Sequence, residues 1–203
     1  MEALSLRLHD NSELEAGWIE AAKNGDPEAQ AWIIDRFTPP LFRFAYRMLG
    51  NEQDARDAAQ DTMVKILRNL ERYDAKWRFT TWMFSIARNT CIDEHRRRRW
   101  RSDSELPDVA DSAPDALELT SRNRKNEHLH SALQAIPPLY REVLVMYHFE
   151  HLKYQEIADA LAIPIGTVMN RIFRARAKLR DAYERLESRD GTPSPAPDRE
   201  HDA

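Results

Sequence analysis

In the stretch RFTTWMFSIARNTCIDEHRRRR, residues 78–99, three aromatic side chains, Phe79, Trp82 and Phe84, stand a few helical turns before four consecutive arginines. Large flat side chains beside the chain's densest positive charge ask for a partner that uses both, and arginines suit the phosphates of a polyanion. A second basic stretch, RIFRARAKLR at 171–180, holds five basic residues and no acid. The chain offers little for covalent or metal chemistry. His148-Phe149-Glu150-His151 resembles a metal-ligand cluster, but with one cysteine and no HExxH the remaining ligands are missing, and no glycine-rich phosphate loop is present. The expectation is a non-enzyme with no catalytic residue, no metal and no cofactor. The lone Cys91 reads as a small buried residue on a helix.

A formal net charge of −4 would argue against a nucleic-acid partner were the charges evenly spread. They are segregated. Residues 96–101 carry five arginines, whereas 102–121 (SDSELPDVADSAPDALELTS) hold six carboxylates and no base. That acidic, Pro- and Ser-bearing segment has too little apolar surface to offset its ordering entropy, and it reads as a flexible linker between two basic modules. The tail from Ser188 reads as disordered for the same reason. No apolar run approaches the roughly 18 residues of a membrane span, and MEALSLRLHDNSELE lacks the layout of a secretion signal. A cytoplasmic protein without membrane insertion is expected.

The elements that would position these residues all read as helices, because glycine is scarce and apolar residues recur every three or four positions. Gly25, Asp26 and Pro27 mark a sharp corner between two helices, supplying an end, an N-cap and a first helical position. Leu41, Phe44, Ala45, Met48 and Leu49 form one stripe, closed by Gly50-Asn51. Ala59, Met63, Ile66, Leu67 and Leu70 form the next. Phe79, Met83, Ile86, Ala87 and Thr90 then give an apolar face that leaves Trp77, Trp82 and Phe84 outside it. After the linker, Leu129, Leu133 and Ile136 lead to Pro137-Pro138, and Leu139, Val143 and Met146 form the helix that follows.

The most informative segment is YQEIADALAIPIGTVMNRIFRARAKLR, residues 154–180. A short helix with Ile157, Ala158 and Leu161 inward, a tight Ala162-Ile163-Pro164 turn and a second helix with Val168, Ile172, Ala175 and Leu179 inward make a helix-turn-helix. The opposite face of the second helix carries Asn170, Phe173, Arg174 and Ala177, with Thr167, Met169 and Arg171 on its flanks and Lys178 near its end. Those are donors, an aromatic and cations, suited to base edges and phosphates in a major groove.

Three segments together, LGNEQDARDAAQDTMVKILRNLERYD (49–74), FTTWMFSIARNTCIDEHRRR (79–98) and the helix-turn-helix, resemble the extracytoplasmic-function sigma factors of the bacterial sigma-70 class over roughly residues 14–186. The resemblance implies an all-α protein of two small helical domains: sigma region 2 at 14–101, a linker at 102–121, sigma region 4 at 122–187 and a tail at 188–203. It implies a promoter-specificity subunit whose chemistry is supplied by RNA polymerase. Region 4 would read the minus-thirty-five element as duplex through Thr167, Met169, Asn170, Arg171, Phe173, Arg174 and Lys178. Region 2 would capture and melt the minus-ten element through Tyr73, Asp74, Lys76, Trp77, Arg78, Thr80, Trp82, Asn89, Arg96, Arg97, Arg98 and Arg99. Asp57, Gln60, Asp61, Lys65 and Arg68 would dock on the coiled coil of the largest polymerase subunit, although from spacing alone they could equally form intrahelical pairs such as Asp61 with Lys65. An anti-sigma factor is a further implied partner.

Met169 and Asn170 depart from the family, which commonly has a basic residue followed by serine there, so a minus-thirty-five sequence does not transfer. The rival reading is a dimeric helix-turn-helix regulator acting without polymerase. It accounts for 154–180 and leaves the Trp and Arg cluster at 77–101 without a role.

Overall fold

The computed structural model describes residues 14–104 and 121–189. Within them the chain is helical, with no strand. Helix α1 covers residues 14–23. Gly25, at φ 85°, turns the chain, and the side chain of Asp26 accepts from the amides of Glu28 and Ala29 at 2.8 and 3.2 Å, opening α2 (Pro27–Leu49) at the expected corner. Helix α2 runs unbroken through Pro39 and Pro40, so the Asp26-Pro27 corner and the Leu41–Leu49 stripe belong to one element. Gly50 ends it in the left-handed region at φ 89°, a conformation that favours glycine. Asn51 caps α3 (Glu52–Arg68) by accepting from the Asp54 amide at 2.8 Å. A 3-10 turn (Leu70–Arg72) and a loop lead to α4 (Phe79–Ser104).

The second module contains α5 (Ser121–Ala135), α6 (Pro138–Leu144), a π-helical turn (Val145–Phe149), α7 (Tyr154–Leu161) and α8 (Ile165–Arg189). Ile157, Ala158 and Leu161 of α7 and Val168, Ile172 and Ala175 of α8 are buried, as the helix-turn-helix pattern requires. The turn between them is made by Ala162 in the left-handed region, φ 53°, ahead of Pro164.

Three sequence expectations shift. Helix α4 continues to Ser104, three residues into the stretch assigned to the linker, and α8 continues through Ser188 to Arg189. The end of α8 is rich in strong helix formers, and Ser188 Oγ donates back to the Glu184 carbonyl at 2.8 Å, whereas Ser102, Asp103 and Ser104 extend α4 without favouring helix themselves. Most of the expected linker, 105–120, and the expected tail from 190 lie outside the described residues. Phe84 belongs to the core: it is 3% exposed and its ring sits 5.1 Å from that of Phe44. Helix α4 is covered by α2, α3 and α7, so its buried arc is wider than a single-sided wheel predicts.

The two modules do not stand apart. Their buried apolar residues form one continuous cluster, and α2 and α4 of the first module contact α5, α6, the π turn and α7 of the second.

Candidate nucleic-acid interface

The loop before α4 is prebuilt. Asp74 accepts from the Lys76 amide at 3.0 Å and from its ammonium at 2.7 Å, and these bonds lower the Asp74 carboxyl from its ordinary value. Tyr73 is buried, and its hydroxyl donates to the Trp77 carbonyl at 2.6 Å, which fixes the backbone that presents Trp77. Trp77 is 43% exposed, with the Lys76 ammonium 5.8 Å from its ring centre. Trp82 is half-buried, its ring 5.4 Å from Tyr73 and 5.6 Å from Phe79. One tryptophan is thus displayed and the other anchored.

This loop walls a cavity of about 940 Å³. Tyr73, Lys76, Trp77, Arg78 and Thr80 line it, opposite Arg36, Pro39, Pro40 and Arg43 of α2. The Thr80 hydroxyl is buried behind this wall without a hydrogen-bond partner. The prolines have no amides to give the carbonyls of Asp35 and Arg36, a source of acceptors at the same wall. Five of the expected minus-ten residues therefore share one concave site. Asn89 and Arg96, Arg97 and Arg98 are exposed farther along α4, the arginines about 20 Å from Trp82 at 1.5 Å per residue. Arg97 pairs with Glu94 at 3.0 Å and Arg98 with Asp54 at 3.5 Å. Arg99 lies in α4, but its side chain is outside the described residues.

On α3, Asp57, Gln60, Asp61 and Arg68 are exposed along one face, joined by Val64 at 46% exposure, which polar-residue reasoning missed. Lys65 donates to Thr90 Oγ1 at 3.0 Å, so it braces α3 against α4 in place of an Asp61 pair. The recognition-helix face is open to solvent: Met169, Asn170, Phe173, Arg174 and Lys178 are exposed, Phe173 to 77%, while Thr167 is partly covered. Asn170, Arg171 and Arg174 line a cleft of about 330 Å³ with Tyr140, over whose ring Lys178 lies at 5.5 Å. Arg171 is partly buried and bonds Glu142 at 3.1 Å.

An exposed basic recognition helix in one helical module and a displayed tryptophan at a cavity wall in the other are features suited to a nucleic-acid-binding protein. The sequence profiles of Sigma-70 region 2 and Sigma-70, region 4 match residues 33–101 and 127–179. The chain is 32% identical over 174 residues to the ECF RNA polymerase sigma factor SigW of Bacillus subtilis (strain 168), covering 80% of this chain and 92% of that one. It is 32% identical to the ECF RNA polymerase sigma factor SigE of Mycolicibacterium smegmatis over 77% of this chain and 63% of that protein. Among solved structures, CnrH in complex with the cytosolic domain of CnrY aligns at TM-score 0.62 and 25% identity, over 83% of this chain and 96% of that one. The chain belongs to the extracytoplasmic-function sigma factors. It is a promoter-specificity subunit of RNA polymerase, and the family assignment does not favour a free-standing dimeric regulator.

Proposed function

We propose that the two modules divide promoter recognition between the surfaces described above. The cavity around Tyr73, Asp74, Lys76, Trp77, Arg78 and Thr80 receives an unstacked minus-ten base, with Trp77 as the stacking face and Trp82 as its support. Asn89 and Arg96 to Arg99 guide the strand's phosphates along α4. Extrusion of a base costs a few kcal/mol, and stacking with phosphate neutralisation offsets a comparable amount. Thr167, Met169, Asn170, Arg171, Phe173, Arg174 and Lys178 form the duplex-reading face. Asp57, Gln60, Asp61 and Arg68 dock on the coiled coil of the largest polymerase subunit, with Lys65 holding the face in place.

In this reading the protein acts in the cytoplasm and carries no catalytic residue of its own, since polymerase performs the chemistry. An anti-sigma factor that masks these faces is the expected regulator. The observation that carries the proposal is the exposure of Trp77 on a hydrogen-bonded loop at the mouth of a large cavity, whose wall carries Arg36, Arg43, Lys76 and Arg78 alongside Glu15, Glu20, Asp35 and Glu150. Its test for the polymerase half is a binding titration of core enzyme against Asp57→Ala/Asp61→Ala/Arg68→Ala. We expect core affinity to fall at least tenfold with duplex minus-thirty-five binding unchanged. Undiminished core binding would remove α3 from the docking surface.

A further inference from the structure

The open side of α8 is built from two parallel rows. Ile165, Met169 and Phe173 follow one another at four-residue spacing and are 42%, 53% and 77% exposed. Asn170, Arg174 and Lys178 follow at the same spacing, offset by one residue, and are exposed as well. Residues four apart lie above one another on a helix and a step of one residue turns it by about 100°, so an apolar ridge runs beside a polar and cationic one. The core seam is elsewhere, in the buried Val168, Ile172 and Ala175.

A single exposed apolar side chain is ordinary, but three in one row make a patch, and its surface is stabilised only when a partner covers it. The surroundings select that partner. Between Ile165 and Arg180 the helix carries five basic residues and no acid, so what covers the ridge is a polyanion that also offers an apolar element. The major groove of duplex DNA meets both conditions: phosphates flank it, and the apolar element on its base edges is the methyl at C5 of a pyrimidine, carried by thymine and by 5-methylcytosine. Four residues of helix rise about 6 Å, close to two base steps of about 3.4 Å, so Met169 and Phe173 match methyls about two pairs apart. Met169 stands where the family commonly has a basic residue, and the loss of that charge is what completes the ridge in this chain.

We propose that Met169 and Phe173 read pyrimidine 5-methyl groups in the major groove, so that the duplex element of this chain requires a methyl-bearing pyrimidine at one or two positions. The inference deepens the duplex-reading face proposed above and rests on it. The ridges divide the recognition: Asn170 and Arg174 offer hydrogen bonds to purine edges, while the thioether and the ring beside them detect methyls. A cytosine in such a position leaves the apolar contact unmade, and its 5-methylation restores the contact without altering base pairing.

The test uses the chain assembled with core RNA polymerase and the duplex that this assembly most enriches from a random library. Each thymine is replaced in turn by uracil, which removes the methyl and keeps the hydrogen-bonding edge. At one or two positions the affinity of the parent should fall about fourfold, the worth of one buried methyl, and Met169→Ala/Phe173→Ala should bind the thymine and uracil duplexes alike. In a second arm the same positions carry cytosine or 5-methylcytosine, and the methylated duplex should bind the parent about fourfold more tightly and the variant no better. Loss in the uracil arm alone assigns the contact to thymine, and gain in the second arm as well assigns it to the methyl of either base. The inference is overturned if no thymine is found whose replacement the parent feels and the variant does not, while Arg174→Ala still weakens binding. Undiminished duplex binding by both Arg174→Ala and Lys178→Ala would instead remove the reading face itself, and the inference with it. A Met169→Ala/Phe173→Ala chain that keeps its thymine preference and loses core polymerase would place the ridge on protein and overturn the inference too. Both replaced side chains are exposed, so helix content and thermal stability should match the parent, and the uracil arm on the parent needs no variant.

Discussion

Trp77 and Trp82 were indistinguishable as letters, and the structure separates them by their neighbours. Trp77 touches solvent and Lys76, whereas Trp82 is wedged against Tyr73 and Phe79. Trp77→Ala should therefore leave thermal stability within about 0.5 kcal/mol while weakening promoter opening by roughly 1–3 kcal/mol. Permanganate reactivity of unpaired thymines measures the opening, and a pre-melted template should rescue the variant. Equal reactivity in variant and parent would dismiss Trp77 as the stacking face. On α8 the wheel read from sequence agrees with exposure: Arg174 and Asn170 point away from Val168, Ile172 and Ala175. Arg174→Ala and Asn170→Ala should each lose about 1–3 kcal/mol of discrimination at one or two base pairs, whereas Lys178→Ala should weaken all sequences alike and flatten the salt dependence. Affinities across single-base duplex variants at two salt concentrations separate the roles; uniform loss for all three would mean that the helix positions without reading. Phe84 and Lys65 were less legible. One is buried by a third neighbour, the other is drawn to Thr90, and both depend on packing across elements that no local period encodes.

Helix limits set by caps were readable from the chain: Asp26, Gly50, Asn51 and the Ala162–Pro164 turn stand where the expected corners are. The helix ends at Ser104 and Arg189 lie beyond the limits that composition suggested. Gly50 shows how a cap also serves the contact between modules. A Cβ there would take on left-handed strain and meet Gln134 Cδ at 2.8 Å, a side chain held by Arg47 and Arg141. Gly50→Ala should destabilise the chain by about 1–2 kcal/mol in a denaturant melt. A neutral outcome would show that neither the left-handed turn nor the Gln134 contact constrains this position.

The π turn supplies a second element-scale test, because it delivers Glu150 to α2. Burial pushes the Glu150 carboxyl up to about 7, against the pull of Arg47 and Arg43 from α2; Asp35 and Arg36 line the same cavity, and His148 and His151 are its near neighbours in sequence. The folded chain holds a proton that the unfolded chain, with an ordinary carboxylate, releases. That contribution to stability is present in full below the ordinary carboxylate range and is lost as pH rises to about 7. Stability in a denaturant melt should fall across that range, and Glu150→Gln should flatten the change. A parent profile with the opposite slope would refute the assignment.

At the scale of the whole molecule, two helical modules and their order were legible because each carries its own periodicity and punctuation. Their mutual docking was not. It depends on the Glu142, Glu150 and Glu156 carboxylates meeting arginines 54 to 103 residues away, and on Arg141 reaching a helix end 93 residues distant. Within the sequence those acids look like solvated helix faces. In the proposed division of recognition, the whole molecule engages two promoter elements at once while bound to polymerase. The most direct measurement is selection of random duplex DNA by the chain assembled with core RNA polymerase, followed by sequencing of the fragments it opens. The account predicts two separate, non-palindromic enriched blocks, recovered only when core enzyme is present. Recovery without polymerase of a palindrome with half-sites one duplex turn apart, as a dimeric helix-turn-helix regulator would select, would contradict it.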